Sequence, residues 1–393
     1  MENKRTPEIR FLGFNGDWEQ RKLDSIVDRL KSYSLSRDVE RSEYTGYKYI
    51  HYGDIHTKVA DVIDESSKLP NIKAGNYELL EKGDLVLADA SEDYQGIATP
   101  AVITIDTPYK LVAGLHTIAL RPKQVDSLFL YYLINSPSFR KYGYKTGTGM
   151  KVFGISVTNL LKFESWFPLL EEQAKIGKFL KQLDETFALY QQEFDTLKQT
   201  KQGFLQKMFP KEGESVPEIR FPGFTGVWEK RKIREIGDLS AGGDINKSKL
   251  VDNGDFPVLA NALTNDGIVG YYDEYKIEAP AVTITGRGDV GHAKARHVSF
   301  TPVVRLLVLK ANDFDVNFLE NCINIRNIFV ESTGVPQLTV PQLGAYEISF
   351  PSYQEQNKIG NFFKQLDDTI SLHQRELDAL QEMKKTFLQK MFV

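Results

Sequence analysis

One cysteine, Cys322, stands alone in 393 residues, which excludes an internal disulfide framework and any zinc site built on cysteines. It lies in an apolar helical pattern with Ile323 and Ile325 and reads as a packing residue. Six scattered histidines mark no metal cluster. No run approaches the roughly 18 to 20 apolar residues that cross a bilayer, and the opening MENKRTPEIRF has no signal-peptide core, so the expected location is the cytoplasm. Charge of one sign is also lacking. Lysine plus arginine number 49 against 53 acids, a net charge of -4, which argues against a strongly basic nucleic-acid coat but leaves room for local basic patches. Catalytic signatures are missing as well: no GxxxxGK[ST], no HExxH, no GxSxG, and no Asn/Asp-Pro-Pro-aromatic motif of an amino-methyltransferase. GRGDVG, Gly286 to Gly291, has dinucleotide-loop spacing, yet HAKARHVSF after it reads as strand where that motif needs a helix. It is a glycine-rich loop, and nothing here suggests an enzyme.

What the chain does have is repetition. PEIRFLGFNGDWEQRK, from Pro7, returns as PEIRFPGFTGVWEKRK from Pro217, and the stretch from Glu171 to Phe209 returns from Gln354 to Phe392. Between these matched frames lie two unlike middles. A frame kept and contents varied is suited to presenting two different surfaces from one mount.

The matched helical stretches carry heptads. Ile176, Leu180, Leu183, Phe187, Tyr190, Phe194, Leu197, Lys201, Phe204 and Met208 fall at alternating steps of four and three. Ile359, Phe363, Leu366, Ile370, His373, Leu377, Leu380, Lys384, Phe387 and Met391 repeat the seam, with a lysine in the same slot. A helix of about 38 residues would be roughly 57 Å long, too long to bury such a stripe alone. Antiparallel pairing of the two is the economical arrangement; packing of each onto its own domain, or an intermolecular coiled coil, stays open. The seam lysines either snorkel to solvent or mark a docking point.

Both middles read as short strands and turns, then a helical piece, then a glycine turn and an apolar tail: two α+β domains of one fold with diverged surfaces. The expected divisions are 1–168, 169–210 (first long helix), 211–352 and 353–393 (second long helix). Arg140, Lys141, Lys145 and Lys151 gather about TGTGM, interleaved with Tyr142, Tyr144 and Phe153. Glycines admit backbone N–H groups to phosphate, lysines neutralise it, and aromatic or amide edges touch bases. Candidate DNA contacts in the first domain are Lys145, Thr148 and Lys151 of this cluster, together with Lys31, Lys48, Ser91, Tyr94 and Gln95 in loops that the family resemblance given below implies would face a half-site. In the second they are Lys247, Asn261, Arg287, Lys294, Arg296 and Gln337. Asn261 and Gln337 carry the amides that pair with adenine in the major groove.

The paired openings at Trp18 and Trp228, the segments FPLLEEQAKIGKFLKQLDET and FPSYQEQNKIGNFFKQLDDT, and the twin FLQKMF closings resemble the specificity subunit of type I restriction-modification systems over almost the whole chain. The resemblance implies two target-recognition domains, each reading half of a split, asymmetric site on double-stranded DNA, and an antiparallel helical spacer that fixes the gap. It implies that each repeat recruits one methyltransferase subunit, which binds S-adenosylmethionine and methylates adenine N6. It also implies a separate motor-nuclease subunit that uses ATP with Mg, while this chain itself carries no cofactor. From the residues alone, a two-domain protein-binding scaffold remains an alternative. A fused reading and modifying enzyme is disfavoured by the missing motifs.

Overall fold

The computed structural model describes residues 6–149, 152–251, 253–326, 328 and 336–393. It forms two compact units, one of residues 1–190 with 376–393, the other of residues 191–375. Each unit takes a portion of both long helices.

In the first unit, a five-stranded sheet runs in the order Val27–Leu30, Thr117–Pro122, Leu85–Ala88, Pro100–Ile103, Val62–Ile63. LVLA and PAVI are apolar at every position because both faces of these strands are covered. Leu85, Leu87 and Val102 pack with Phe129 of helix Ser127–Asn135, while Val86, Ala88 and Ile103 pack with Ile50 and Leu111 on the opposite face. Ile50 and Leu111 belong to a second sheet, ordered Lys110–Ala113, Tyr47–Ile50, Asn71–Ile72, Glu40–Arg41. The helix starts on Asp126, whose carboxylate accepts from the Phe129 N–H at 2.8 Å, and stops where Pro137 opens helix Pro137–Thr146.

The second unit repeats this order of events. Its sheets are Gly237–Ala241, Leu307–Ala311, Ala281–Ile284, Ala293–Arg296 and Ile268–Tyr272, Phe256–Leu259, Thr301–Pro302. Helix Val316–Asn324 is capped by Asp315 on the Phe318 N–H, and Cys322 is buried within it. GRGDVG joins two antiparallel strands as a hairpin turn, and no helix follows it.

The frame motifs acquire physical reasons. Arg10 forks onto Glu172 at 2.7 and 2.8 Å, and Arg220 onto Glu355 at 2.6 and 2.7 Å; both carboxylates are buried. The next residue, Gln173 or Gln356, donates to the carbonyl of Pro168 or Pro351 and accepts from the backbone N–H of Asp126 or Asp315. Gly177 and Gly360 back onto those capped helix starts; a Cβ at Gly360 would lie 2.0 Å from Asp315 Oδ1. Each closing motif serves the unit that the other helix enters. Phe392 lies 5.3 Å from Phe129 in the first unit, and Phe209 lies 5.5 Å from Phe318 in the second.

The long helices, Leu170–Met208 and Tyr353–Lys390, pair antiparallel as a coiled coil. In the first unit Phe179 meets Phe387, with ring centroids 4.9 Å apart. In the second, His373 lies 3.5 Å from Glu193 and Phe204 meets Phe362 at 5.1 Å, so partners fall on one helix as they rise on the other. Of the seam, Ile176, Leu180, Leu183, Ile359 and Phe363 are buried, and Leu197, Leu366 and Leu380 are half-buried. Neither seam lysine is left to solvent: Lys201 pairs with Asp367 at 2.6 Å and Lys384 with Asp184 at 2.5 Å. No helix among the described residues is long and apolar enough to cross a membrane.

Candidate nucleic-acid interface

Both units build the same backbone feature on the central strand pair. The turn leaving Leu85–Ala88 is met by the segment returning after the helices: the Ile155 N–H donates to the Asp89 carbonyl at 3.0 Å, and Phe153–Gly154 pairs with Ala90–Ser91. In the second unit the Leu338 N–H donates to the Gly286 carbonyl at 2.9 Å, and Gln337 bridges to Arg287. Ile155 and Leu338 are buried as anchors, and Ser156 and Thr339 immediately after them each cap a short helix. The backbone is common; the side chains displayed on it are not.

On the first unit this face is aromatic. The Tyr94 ring lies on Phe153, with centroids 3.9 Å apart and planes at 32°, and Tyr144 meets Tyr94 edge-on at 6.4 Å. Lys145 and Thr148 are exposed beside them, and Thr148 exchanges two backbone hydrogen bonds with Gly154. Ser91 is buried and accepts from the Asp93 N–H, shaping the turn that exposes Gln95. Lys151 lies outside the described residues. Arg140, read above with the basic cluster, has a different task. Its guanidinium donates to the carbonyls of Ile134, Gln95, Ile97 and Ala98, and so clamps the Tyr94–Gln95 turn to the helix pair. Burial without a carboxylate partner pulls its pKa down to about 10.

Lys31 and Lys48 are held by other parts of the unit. The Lys31 ammonium sits 5.0 Å from the Tyr33 ring centre, and the Lys31 backbone N–H donates to the Glu78 carboxylate. Lys48 donates to the Leu69 carbonyl at 2.8 Å and lies over Tyr109.

On the second unit the face is polar and basic. Asn261 is a clasp: its Oδ1 accepts from the Gly286 N–H at 2.7 Å, and its Nδ2 donates to the Val304 carbonyl at 2.6 Å. Arg287 is exposed and donates to Gln337 Oε1 at 3.2 Å. Lys294 and Arg296 are drawn to another loop, Lys294 to Asp266 at 3.8 Å and Arg296 to the Asp266 carbonyl and Thr283 Oγ1, both at 2.9 Å. Burial lowers the pKa of Arg296. Lys247 is exposed on the short turn Lys247–Lys249, where its neighbour Lys249 pairs with Glu274.

Residues that sequence reasoning did not select also line these faces. Tyr52 packs against His56 at 6.0 Å and His116 at 5.3 Å; His56 contacts the Ala90 carbonyl at 2.8 Å and His116 contacts Asp89 at 3.2 Å. In the second unit Arg305 backs onto Gly286. Only the pairing of Lys110–Ala113 with Tyr47–Ile50, and of Thr301–Pro302 with Phe256–Leu259, carries them there. Among the described residues no cluster of His, Cys, Asp or Glu is arranged to hold a metal.

Residues 15–199 and 226–382 match the family model of the type I restriction modification DNA specificity domain. A type I restriction enzyme specificity subunit of Methanocaldococcus jannaschii is 22% identical over 97% of this chain and 93% of its own length. Two putative type I specificity subunits of Mycoplasma pneumoniae are 24% and 30% identical over 62% and 39% of this chain, which spans 64% and 56% of their lengths. The crystal structure of a type I restriction-modification S subunit from M. genitalium shares the fold, with a TM-score of 0.67 at 17% identity over 99% of both chains.

Proposed function

Since the chain belongs to the type I restriction-modification DNA specificity family, we propose that its two units each read one half of a bipartite, asymmetric site on double-stranded DNA. The observation that carries this reading is the repeated backbone bond, Ile155 to Asp89 and Leu338 to Gly286, displaying tyrosines and a phenylalanine in one unit and arginine with glutamine in the other. One mount with two chemistries suits two unlike half-sites. The chain's role is recognition; bond-making belongs to partners.

The duplicated frame supports recruitment of two methyltransferase subunits, one per repeat. Those subunits would bind S-adenosylmethionine and methylate adenine N6, and a motor-nuclease subunit would use ATP with Mg. With a net charge of -4 on this chain, the partners supply much of the phosphate contact. The paired helices act as a ruler between half-sites. Inserting one heptad into each helix, between Asp184 and Lys201 and between Asp367 and Lys384, keeps both ion pairs and lengthens the pair by about 10.5 Å, about three base pairs. The gap between half-sites should change, or activity should be lost with helical phase; an active variant with an unchanged gap refutes the ruler.

The deciding experiment expresses the chain with its methyltransferase partner in a host without type I methylation and sequences the methylome. A split motif bearing N6-methyladenine in both halves is expected. A stable complex that methylates no new motif would overturn the reading in favour of a protein scaffold.

A further inference from the structure

The equivalence of the two faces extends to a position that neither motif nor charge pattern marks. Gly114 and Val303 donate their N–H groups to the carbonyls of Ile50 and Leu259, each at 2.8 Å. Two residues later each backbone is left-handed at a residue that is not glycine, His116 with φ 54° in the first unit and Arg305 with φ 65° in the second, where Val304 before it is left-handed as well, with φ 52°. The strands Thr117–Pro122 and Leu307–Ala311 follow, in matching register against the central strands: Ile118 opposite Leu87, Leu307 opposite Ile284. A left-handed arginine is sparsely populated and persists only where its surroundings fix it. Here they do. A Cβ at Gly286 would lie 2.9 Å from the Arg305 carbonyl, and Asn261 ties Gly286 to Val304.

The two equivalent side chains are treated differently. His116 is held by Asp89 and flanked by Tyr52. Arg305 is exposed, and among the described residues no hydrogen bond or ion pair engages its guanidinium. Arg287, next to Gly286 in sequence, bonds the neutral Gln337, and the Arg305 backbone meets the same glycine, so two arginines converge on Gly286 with no carboxylate paired to either among the described residues. A free planar fork on a fixed backbone matches the O6/N7 edge of guanine, the commonest specific arginine contact in the major groove. A structural arginine would be spent on carbonyls, as Arg140 is.

We propose that Arg305 is a specificity-determining residue that reads a guanine in the half-site bound by the second unit. The first unit, with His116 in that place, carries no arginine fork at the equivalent position. This rests on the reading of the chain as a bipartite DNA reader.

The test compares wild type, Arg305→Ala, Arg305→Lys and Arg287→Ala, each in complex with the methyltransferase partner, by methylome sequencing and by affinity for site variants. Wild type should show guanine in the half-site that Arg287→Ala perturbs. Arg305→Ala should lower the preference for that guanine by about 5- to 150-fold and leave the other half-site, the control for folding and assembly, unchanged. Arg305→Lys keeps the charge without the fork and should not restore it. An unchanged motif in Arg305→Ala overturns the proposal. So does a loss of affinity uniform over sequences and rescued by lysine, which would mark a phosphate contact. If wild type has no split motif, the reading of the chain as a bipartite reader has failed and this assignment falls with it; a split motif indifferent to Arg305 defeats the assignment alone.

Discussion

Lys384 Nζ lies 2.5 Å from Asp184 Oδ1, joining the end of one long helix to the start of the other, and Lys201 makes the equivalent bond to Asp367 at 2.6 Å. A cation in a hydrophobic seam specifies register when its partner sits at one level only. The first pair has an added tie, because the Tyr132 hydroxyl donates to Asp184 at 2.9 Å. In double-mutant cycles, each Lys–Asp pair should couple by about 0.5 to 1 kcal/mol, since all four side chains are partly exposed. Exchanging the charges, Lys201→Asp with Asp367→Lys, should recover most of the stability that either single change loses. Denaturant titration measures both, and additive single effects would show that the pairs contribute nothing to register.

Glu320 offers a pH-dependent prediction. It is largely buried and accepts from the Ala295 N–H at 2.9 Å; burial raises its pKa above the ordinary 4.5, with nearby Asp367 in the same direction and Lys294 and Lys201 opposing. A carboxyl that holds its proton more tightly when folded favours folding at low pH, and that contribution is lost as pH rises from about 4.5 through the folded pKa. Glu320→Gln keeps an acceptor and cannot ionise. It should melt above wild type at pH 7 to 8, with the difference shrinking as pH falls below 4.5. A difference that instead grows toward acid pH would mean that the folded protein favours the carboxylate.

The seam was legible because heptads are a one-dimensional signal, and Ile176, Leu180, Ile359 and Phe363 are buried as their spacing requires. The partners of Lys201 and Lys384 were not legible, since those pairs join residues 166 and 200 positions apart that no local pattern links. The proposed DNA faces were half legible. Tyr94, Lys145 and Thr148 come together because the turn and the returning segment are close in sequence to glycine signals. Arg140 looks like a phosphate ligand when only its charge is visible, and becomes a clamp once four carbonyls converge on it. His116 and Arg305 were missed because their positions depend on parallel strand pairing and a left-handed backbone, neither of which leaves a mark in a chain that puts histidine and arginine there.

The Arg10–Glu172 and Arg220–Glu355 forks make the frame sensitive to one atom set. Arg10→Ala leaves Glu172, 1% exposed, without its cation, and should destabilise the first unit by about 3 kcal/mol, at the lower end for a broken buried pair because Arg10 keeps some solvent access. Arg220→Ala should do the same to the second unit. Hydrogen exchange read separately over residues 85–103 and 281–296 reports each effect. Equal loss of protection in both stretches from either single change would show that the forks are not local to their units.

Arg140 gives the sharpest separation of scaffold from reader. Its five bonds to main-chain carbonyls place Tyr94 and Gln95 and engage all three nitrogens of its guanidinium. Arg140→Met preserves much of the buried stem but strips those carbonyls of a charged donor, at an expected cost of about 1 to 3 kcal/mol. If the clamp positions the turn, the first half-site should lose definition in the methylome while the second keeps its sequence. Arg140→Lys, which offers three donors from a point charge in place of a planar fork, should fall between wild type and methionine. A variant with the expected loss of stability and an unaltered first half-site would assign Arg140 to the core alone and release the Tyr94 turn from any part in recognition.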